Sequence, residues 1–120
     1  MSKKVLIVDD SIFTYKEIKH MLSGTDYEAV GHAKNGQEAF KMYAELMPDI
    51  VTMDIILPGL TGLETSKLIL GKWKDAKIII VSSLAYDDTV DEAAKLGITN
   101  FIFKPFDKEE LIKAFDKMLG

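Results

Sequence analysis

The chain has 120 residues, of which 48% are hydrophobic and 28% are charged, and this composition is typical of one folded domain rather than a disordered segment. The formal net charge of −4 and the lack of a basic stripe argue against nucleic acid as a direct ligand. The absence of cysteine excludes disulfides, thiolate metal sites and thiol catalysis. The first apolar stretch is four residues long, too short for a signal peptide or a membrane span. We therefore expect one cytoplasmic domain over residues 1–120, with no membrane attachment.

The first third of the chain predicts a strand, a helix and a second strand. Residues 4–9 contain a continuous apolar run that ends in Asp9 and Asp10, as in a strand buried on both faces of a parallel sheet. Residues 11–22 have apolar positions at helical spacing and are followed by a Ser-Gly stop. Residues 27–33 alternate only weakly, which indicates a strand at a sheet edge.

A second helix and a third strand follow. Asn35 is the predicted N-cap, with Glu38 as its capping-box partner, and Pro48 ends the helix. The apolar stripe of this helix is predicted to comprise Ala39, Phe40, Tyr43, Ala44 and Met47. Residues 50–54 form another apolar run, and it ends in Asp54. Asp54 therefore repeats the placement of the first two aspartates.

The remaining sequence predicts three more helices and two more strands. Thr61 and Glu64 form a capping box that opens the third helix. A strand over residues 77–82 precedes a helix that Asp87 or Asp88 caps and that ends at a Leu-Gly pair. A strand over residues 100–103 leads to the last helix, whose predicted cap and apolar stripe comprise Asp107, Glu110, Leu111, Phe115, Met118 and Leu119.

Five strands that alternate with five helices predict an α/β fold with one doubly wound parallel sheet. Crossovers between parallel strands are right-handed, so a helix layer on each face requires one reversal of strand order. If the second strand lies at an edge, the first and third strands are neighbours. Asp9, Asp10 and Asp54 then converge outside the carboxyl ends of the strands, where such folds bind ligands.

The three carboxylates indicate a site for a divalent cation. Like charges that are brought together raise carboxylate pKa values unless a cation offsets them, and clustered oxygen ligands suit Mg²⁺. Any single aspartate after a strand is more often a helix cap or a solvated turn residue. Three of them on two strand ends favour the metal site.

The ordered set of polar and aromatic residues at the strand ends resembles a bacterial two-component response regulator receiver domain, of the stand-alone chemotaxis type. The residues that carry the resemblance are Asp9, Asp10, Asp54, Pro58, Gly62, Ser82, Phe101, Lys104, Pro105 and Phe106. The resemblance covers the whole chain. It implies a (βα)5 flavodoxin-like fold with strand order 2-1-3-4-5.

The resemblance also implies the roles of the acidic residues and of the lysine. Asp54 would be the phosphoacceptor for a histidine kinase, which fits the ability of carboxylates to form aspartyl phosphates. Asp10 and Asp54, with the backbone carbonyl of Ile56, would bind Mg²⁺ directly, and Asp9 would act mainly through bound water. Lys104 would bridge the acids and the phosphoryl group, after a cis bond to Pro105.

Two further residues would transmit the signal. Ser82 would bond a phosphoryl oxygen, although an isolated serine there is more often a turn residue. Phe101 stands at the family's aromatic switch position, and ordinary core packing explains it equally well. The resemblance implies output by protein contact at the face formed by the fourth helix, the fifth strand and the fifth helix. We expect a monomer, with dimerisation on phosphorylation as an alternative, and no catalysis beyond its own phosphorylation and dephosphorylation.

Some residues depart from the family pattern or suggest little. Ile56 and Leu84 are apolar where many chemotaxis regulators have polar or acidic residues, which predicts a long-lived phosphoprotein. His20 and His32 are expected to stand apart from the acid cluster. Trp73 is expected to serve packing.

Three alternatives remain open. The chain can be a receiver cut from a longer regulator or hybrid kinase. A haloacid-dehalogenase-like phosphohydrolase also uses an aspartyl phosphate, but with an Asp-x-Asp spacing that is absent after the first strand here. A flavodoxin-like FMN binder would need a hydroxyl- and glycine-rich loop where this chain has paired acids. A nucleotide hydrolase is disfavoured because there is no Gly-x-x-x-x-Gly-Lys-Ser/Thr loop.

Overall fold

The computed structural model describes residues 2–83 and 87–119 and contains an alternating series of strands and helices. Their bounds are β1 (Lys3–Val8), α1 (Ile12–Leu22), β2 (Tyr27–Ala33), α2 (Gly36–Leu46), β3 (Ile50–Met53), α3 (Gly62–Lys72), β4 (Ile78–Ser82), α4 (Asp87–Lys95), β5 (Phe101–Phe103) and α5 (Lys108–Leu119). Within the described ranges, every helix is too short or too polar to cross a membrane.

All five strands are parallel and form one sheet in the order β2-β1-β3-β4-β5. The doubly wound fold and its strand order are therefore confirmed, and β2 lies at an edge as its weak alternation predicts. The register places Val5 beside Ile50 and Val8 beside Met53. Strands β1 and β3 thus end at the same level, and the reversal of strand order lies between them.

Alternate side chains of the central strands enter two separate cores, which is why these strands are apolar on both faces. Val5 and Ile7 of β1 pack on one face, with residues from α1 and α5. Leu6 and Val8 pack on the opposite face, with residues from α2, α3 and α4. The two helix layers hold the carboxyl ends of the strands at a fixed edge.

Several helix ends follow the predicted capping chemistry. Thr61 and Glu64 form the reciprocal capping box of α3. The predicted box of α2 is only half formed. The Asn35 side chain accepts from the Glu38 N–H at 2.8 Å, but the Glu38 carboxylate accepts from the N–H of Lys34 instead of Asn35.

Two other local predictions are wrong. The stripe of α2 does not include Ala44 or Met47, since both are exposed. Met47 is the C-cap of α2 and has a left-handed backbone conformation (φ 44°). Its side chain therefore does not continue the buried face of the helix on which Tyr43 lies. Asp87 and Asp88 lie inside α4 rather than before it. Acidic residues suit both the cap and the first helical turn, so their presence does not fix where a helix begins.

Candidate functional site

Three acids meet at the carboxyl edge of the sheet. One carboxylate oxygen each from Asp9, Asp10 and Asp54 lies within 4.8 Å of the others. Asp9 is 3% exposed and Asp54 is 9% exposed, whereas Asp10 is exposed to solvent. The convergence that the sequence predicts is therefore present, with two acids held in the protein and one facing outward.

The backbone ladder extends one residue past each strand and positions the buried acids. The N–H of Asp9 donates to the carbonyl of Ala33 at 3.0 Å, and the N–H of Asp54 donates to the carbonyl of Val8 at 3.0 Å. Both acids are thus still anchored to a neighbouring strand while their side chains project beyond the sheet. Such anchoring restricts the carboxylates to one place, as a binding site requires.

Lys104 supplies the positive charge of the site. The backbone N–H of Lys104 donates to the backbone carbonyl of Ser82 at 2.9 Å, which connects the end of β5 to the end of β4. Its Nζ lies 3.1 Å from Asp9 Oδ2 and 3.7 Å from Asp54 Oδ2. The bond from Lys104 to Pro105 is cis, as the resemblance implies. One ammonium group therefore contacts both buried carboxylates.

The charges at the site do not balance. Burial raises the pKa of Asp54 above its ordinary value, and the Lys104 ammonium opposes that rise. The Asp9 carboxylate raises the pKa further, while backbone N–H groups of Ile55 and Ile56 lower it. Three carboxylates and one ammonium leave a formal charge of −2. A divalent cation would neutralise this charge, and the oxygen donors fit Mg²⁺.

The loop after β3 wraps closely around Asp54. The N–H of Ile56 lies 3.4 Å from Asp54 Oδ1, and the Ile56 side chain is 59% exposed. A large apolar side chain thus stands in solvent two residues from the buried carboxylate. Leu84, the other apolar departure from the family pattern, lies outside the described residues.

Gly62 allows helix α3 to approach the back of Asp54. A Cβ atom at position 62 would overlap the Asp54 backbone carbonyl, and the N–H of Gly62 donates to the Ile55 carbonyl at 2.8 Å. Only glycine fits this contact without a shift of the backbone. The glycine that contributes to the family resemblance therefore has a physical role in placing the acid.

The two candidate switch residues lie on neighbouring strands. Ser82 is buried at the end of β4, opposite Phe103 in the ladder. Phe101 is half-buried against the core under α2, α3 and α4, and its ring lies 6.0 Å from that of Phe103 with 13° between the planes. Phe101 thus takes part in packing, and its predicted switch role stays a prediction.

The prediction that His32 stands apart from the acid cluster is wrong. Its Nε2 lies 2.7 Å from the backbone carbonyl of Asp9, so it does not stand apart from the acid cluster. The register of β2 against β1 places His32 beside Ile7, and the ring reaches past the strand end. The register of β1 against β2 shifts between Val5 and Leu6, so simple pairing of the two strands in sequence would not place His32 correctly. Trp73 packs against Tyr43 with 4.7 Å between ring centroids, as expected.

Residues 5–116 of the chain match the response regulator receiver domain family. The chemotaxis protein CheY of Thermotoga maritima is 42% identical over 118 residues, which cover 98% of each chain. The CheY of Bacillus subtilis is 37% identical over the full length of both proteins. A protein-glutamate methylesterase of Syntrophomonas wolfei is 45% identical, but the match covers only 35% of that protein.

Solved structures show the same architecture. The CheX-CheY-BeF3-Mg²⁺ complex from Borrelia burgdorferi matches with a TM-score of 0.93 and 30% identity, over 98% of this chain and 90% of the matched chain. CheY4 of Vibrio cholerae matches with a TM-score of 0.89 and 28% identity, over 98% of this chain and 99% of that protein. These matches agree with the sheet order and helix layers described above.

Proposed function

Because this chain is a CheY-like member of the response regulator receiver domain family, we propose that it receives a phosphoryl group from a histidine kinase on Asp54. The observation that carries this assignment is the buried Asp54 carboxylate, which faces Asp9, Asp10 and the Lys104 ammonium. The family is one of phosphorylation-dependent signalling switches in two-component systems.

The contacts of the acids favour Asp54 as the nucleophile. The Asp9 carboxylate accepts from the Ser11 N–H at 2.9 Å and from Lys104 Nζ at 3.1 Å, so both of its oxygens are engaged. The corresponding contacts of Asp54 are longer, since the Ile56 N–H lies 3.4 Å from Oδ1 and Lys104 Nζ lies 3.7 Å from Oδ2. A carboxylate oxygen with weak hydrogen bonds keeps more of its nucleophilicity. We therefore assign attack to Asp54 and a supporting role to Asp9.

The transfer exchanges one bond for another. An oxygen of Asp54 attacks the phosphorus of a phosphohistidine, the P–N bond breaks, and the imidazole leaves with the electron pair and takes up a proton. The protein has to position the groups and stabilise charge on the transferred oxygens. Lys104 is the direct point charge for this purpose, and the buried Ser82 hydroxyl at the end of β4 is the proposed hydrogen-bond donor.

The same acids would hold Mg²⁺. Asp10, Asp54 and the backbone carbonyl of Ile56 are the proposed direct ligands, and Asp9 would contribute through water. The ion would supply positive charge to the phosphoryl oxygens and relieve the formal −2 of the site. Asp10 is well placed for a hydrated ion because it is exposed.

We propose that output follows from protein contact at the face formed by α4, β5 and α5. Strand β5 is the sheet edge opposite β2, and it presents Phe103, which is 41% exposed. Val90 on α4 is also exposed. The phosphoryl contacts of Ser82 and Lys104 would shift an equilibrium between an inactive and an active conformation. A change in the position of Phe101 would transmit this shift to the face formed by α4, β5 and α5. A monomeric state, a cytoplasmic location and the single-domain span 1–120 stay predictions.

The family membership decides against the phosphohydrolase and FMN-binding alternatives. The alternative of a receiver from a longer regulator stays open, since the methylesterase relative contains a similar segment in a larger protein. This alternative changes the output and leaves the proposed chemistry at Asp54 unchanged.

Intact-mass spectrometry tests the proposal. Incubation with acetyl phosphate and Mg²⁺ should add one phosphoryl group to the wild-type protein, and EDTA should prevent the addition. Asp54→Asn should abolish it. Asp49→Asn is the matched control, because Asp49 is exposed and precedes the same strand β3 at its opposite end. Undiminished phosphorylation of Asp54→Asn would overturn the assignment.

A further inference from the structure

The backbone at Asp9, which leads into the peptide bond between Asp9 and Asp10, is hydrogen-bonded to two residues of β2. The N–H of Asp9 donates to the Ala33 carbonyl at 3.0 Å, and its carbonyl lies 2.7 Å from His32 Nε2. A carbonyl can only accept, so Nε2 carries the hydrogen and donates. Strand β2 therefore engages both backbone groups of Asp9 through two consecutive residues.

The carbonyl that His32 holds belongs to the peptide bond between Asp9 and Asp10. Because a peptide bond is planar, fixing the carbonyl direction also fixes the direction of the Asp10 N–H and restricts the Cα of Asp10. Asp10 is the exposed acid of the cluster. The hydrogen bond from His32 therefore restricts the backbone position from which the Asp10 side chain extends.

The imidazole ring is itself held in place by helix α1. The ring of Tyr15 stacks on it with 4.3 Å between centroids and 4° between the planes. Lys19 Nζ lies 5.8 Å from the centroid of the Tyr15 ring. A stacked aromatic neighbour restricts rotation of the imidazole about its side-chain bonds. The donor is therefore preorganised to face the Asp9 carbonyl.

We infer that His32 is a positioning residue that sets the Asp9–Asp10 peptide for cation binding, with Tyr15 as its support. The inference rests on the proposed Mg²⁺ site. His32 would act through the backbone and would not touch the cation. Residues that orient metal ligands typically contribute about 10–100-fold in affinity. The effect of a backbone contact should be smaller, about fivefold.

Two substitutions separate the hydrogen bond from the stacking. His32→Phe keeps an aromatic ring against Tyr15 but removes the donor. His32→Gln removes the ring but keeps a donor, because the amide nitrogen of glutamine is four bonds from Cα, as is Nε2 of histidine. His20→Phe is the matched control, since His20 is exposed on α1.

The experiment measures the dissociation constant of Mg²⁺ by the backbone amide shifts of residues 9, 10 and 54 in an NMR titration with MgCl2. Thermal unfolding in EDTA measures the stability of each variant without metal. His32→Phe should raise the dissociation constant about fivefold, and His32→Gln should restore at least half of the loss on a logarithmic scale. His20→Phe should leave the constant unchanged.

The outcomes distinguish this inference from the proposed function. A wild-type protein that does not bind Mg²⁺ would overturn both. A wild-type protein that binds Mg²⁺ with the same constant as His32→Phe would overturn the positioning role alone, even if the variant melts earlier in EDTA. A loss in His32→Gln as large as that in His32→Phe would also overturn it, because the hydrogen bond would then not carry the effect.

Discussion

Replacement of Lys104 by methionine should destabilise the metal-free protein, because the lysine is the cation that contacts both buried acids. The distances of 3.1 Å to Asp9 and 3.7 Å to Asp54 correspond to attractions of about 5 and about 4.5 kcal/mol at an effective dielectric constant near 20. Desolvation of the ammonium offsets much of this, and its side chain remains 27% exposed. A net loss of about 2 kcal/mol is expected, or roughly 8 °C in melting temperature.

The loss should depend on pH and on metal. Removal of Lys104 takes away the group that lowers the pKa of Asp54, so that pKa rises further. In Lys104→Met, the repulsion between the Asp54 carboxylate and the other two acids is complete above the folded-state pKa of Asp54. It fades as the pH falls through that pKa, since the protonated carboxyl is neutral. Mg²⁺ should stabilise Lys104→Met more than the wild type, because the cation then opposes a formal charge of −3 rather than −2.

Thermal unfolding followed by circular dichroism at pH 7 and pH 4, in EDTA and in millimolar Mg²⁺, provides the measurement. Lys67→Met is the control, since Lys67 is exposed on α3. A melting temperature of Lys104→Met equal to that of the wild type in EDTA at pH 7 would contradict this role of Lys104. A loss that is equally large at pH 4 would refute the contribution of Asp54, because the raised pKa makes this carboxyl less charged at pH 4 than at pH 7.

Three further changes test other parts of the site. In EDTA, Asp54→Asn should melt about 4 °C above the wild type at pH 7, because burial raises the pKa of the Asp54 carboxyl and so disfavours its charged form. This advantage should vanish at a pH below the ordinary carboxyl pKa of 3.8, and an advantage that persists there would contradict the electrostatic cause. Gly62→Ala should lower the free energy of unfolding, measured in urea, by about 2 kcal/mol. Gly71→Ala on the same helix is the control: the added Cβ meets open space there, so the change should be neutral or stabilising by up to about 1 kcal/mol. Equal effects of the two substitutions would refute the close contact with Asp54. Ile56→Asn should speed decay of the phosphoprotein by up to about tenfold, or about 1.4 kcal/mol of barrier, because the amide can orient water; an unchanged decay rate would show that Ile56 does not control water access.

The order of elements and the meeting of the acids could be predicted because both follow from short-range patterns. Continuous apolar runs identify buried parallel strands, and such strands end together at one edge. Together with the predicted edge position of β2, which makes β1 and β3 neighbours, this reasoning brings Asp9, Asp10 and Asp54 together. The strand order was supplied by the family resemblance, since alternation of elements leaves several orders open.

Contacts that cross between elements could not be predicted in the same way. His32 reaches Asp9 through the register of two strands, and Tyr27 donates to Asp116 of α5 at 2.6 Å across 89 residues of sequence. Burial, with a smaller contribution from Asp116, raises the pKa of Tyr27. Single-residue patterns carry no information on such distant partners. The capping box of α2 differs from the prediction in one partner only, because the Glu38 carboxylate accepts from the backbone N–H of Lys34.

Locating the phosphoryl group chemically tests the assignment of Asp54 as the phosphoacceptor. Borohydride reduces an aspartyl phosphate to homoserine, so peptide mass mapping after phosphorylation and reduction identifies the modified residue. We predict homoserine at position 54 and unmodified aspartate at positions 9 and 10. Homoserine at position 9 or 10, or a phosphorylated protein with unmodified Asp54, would contradict it.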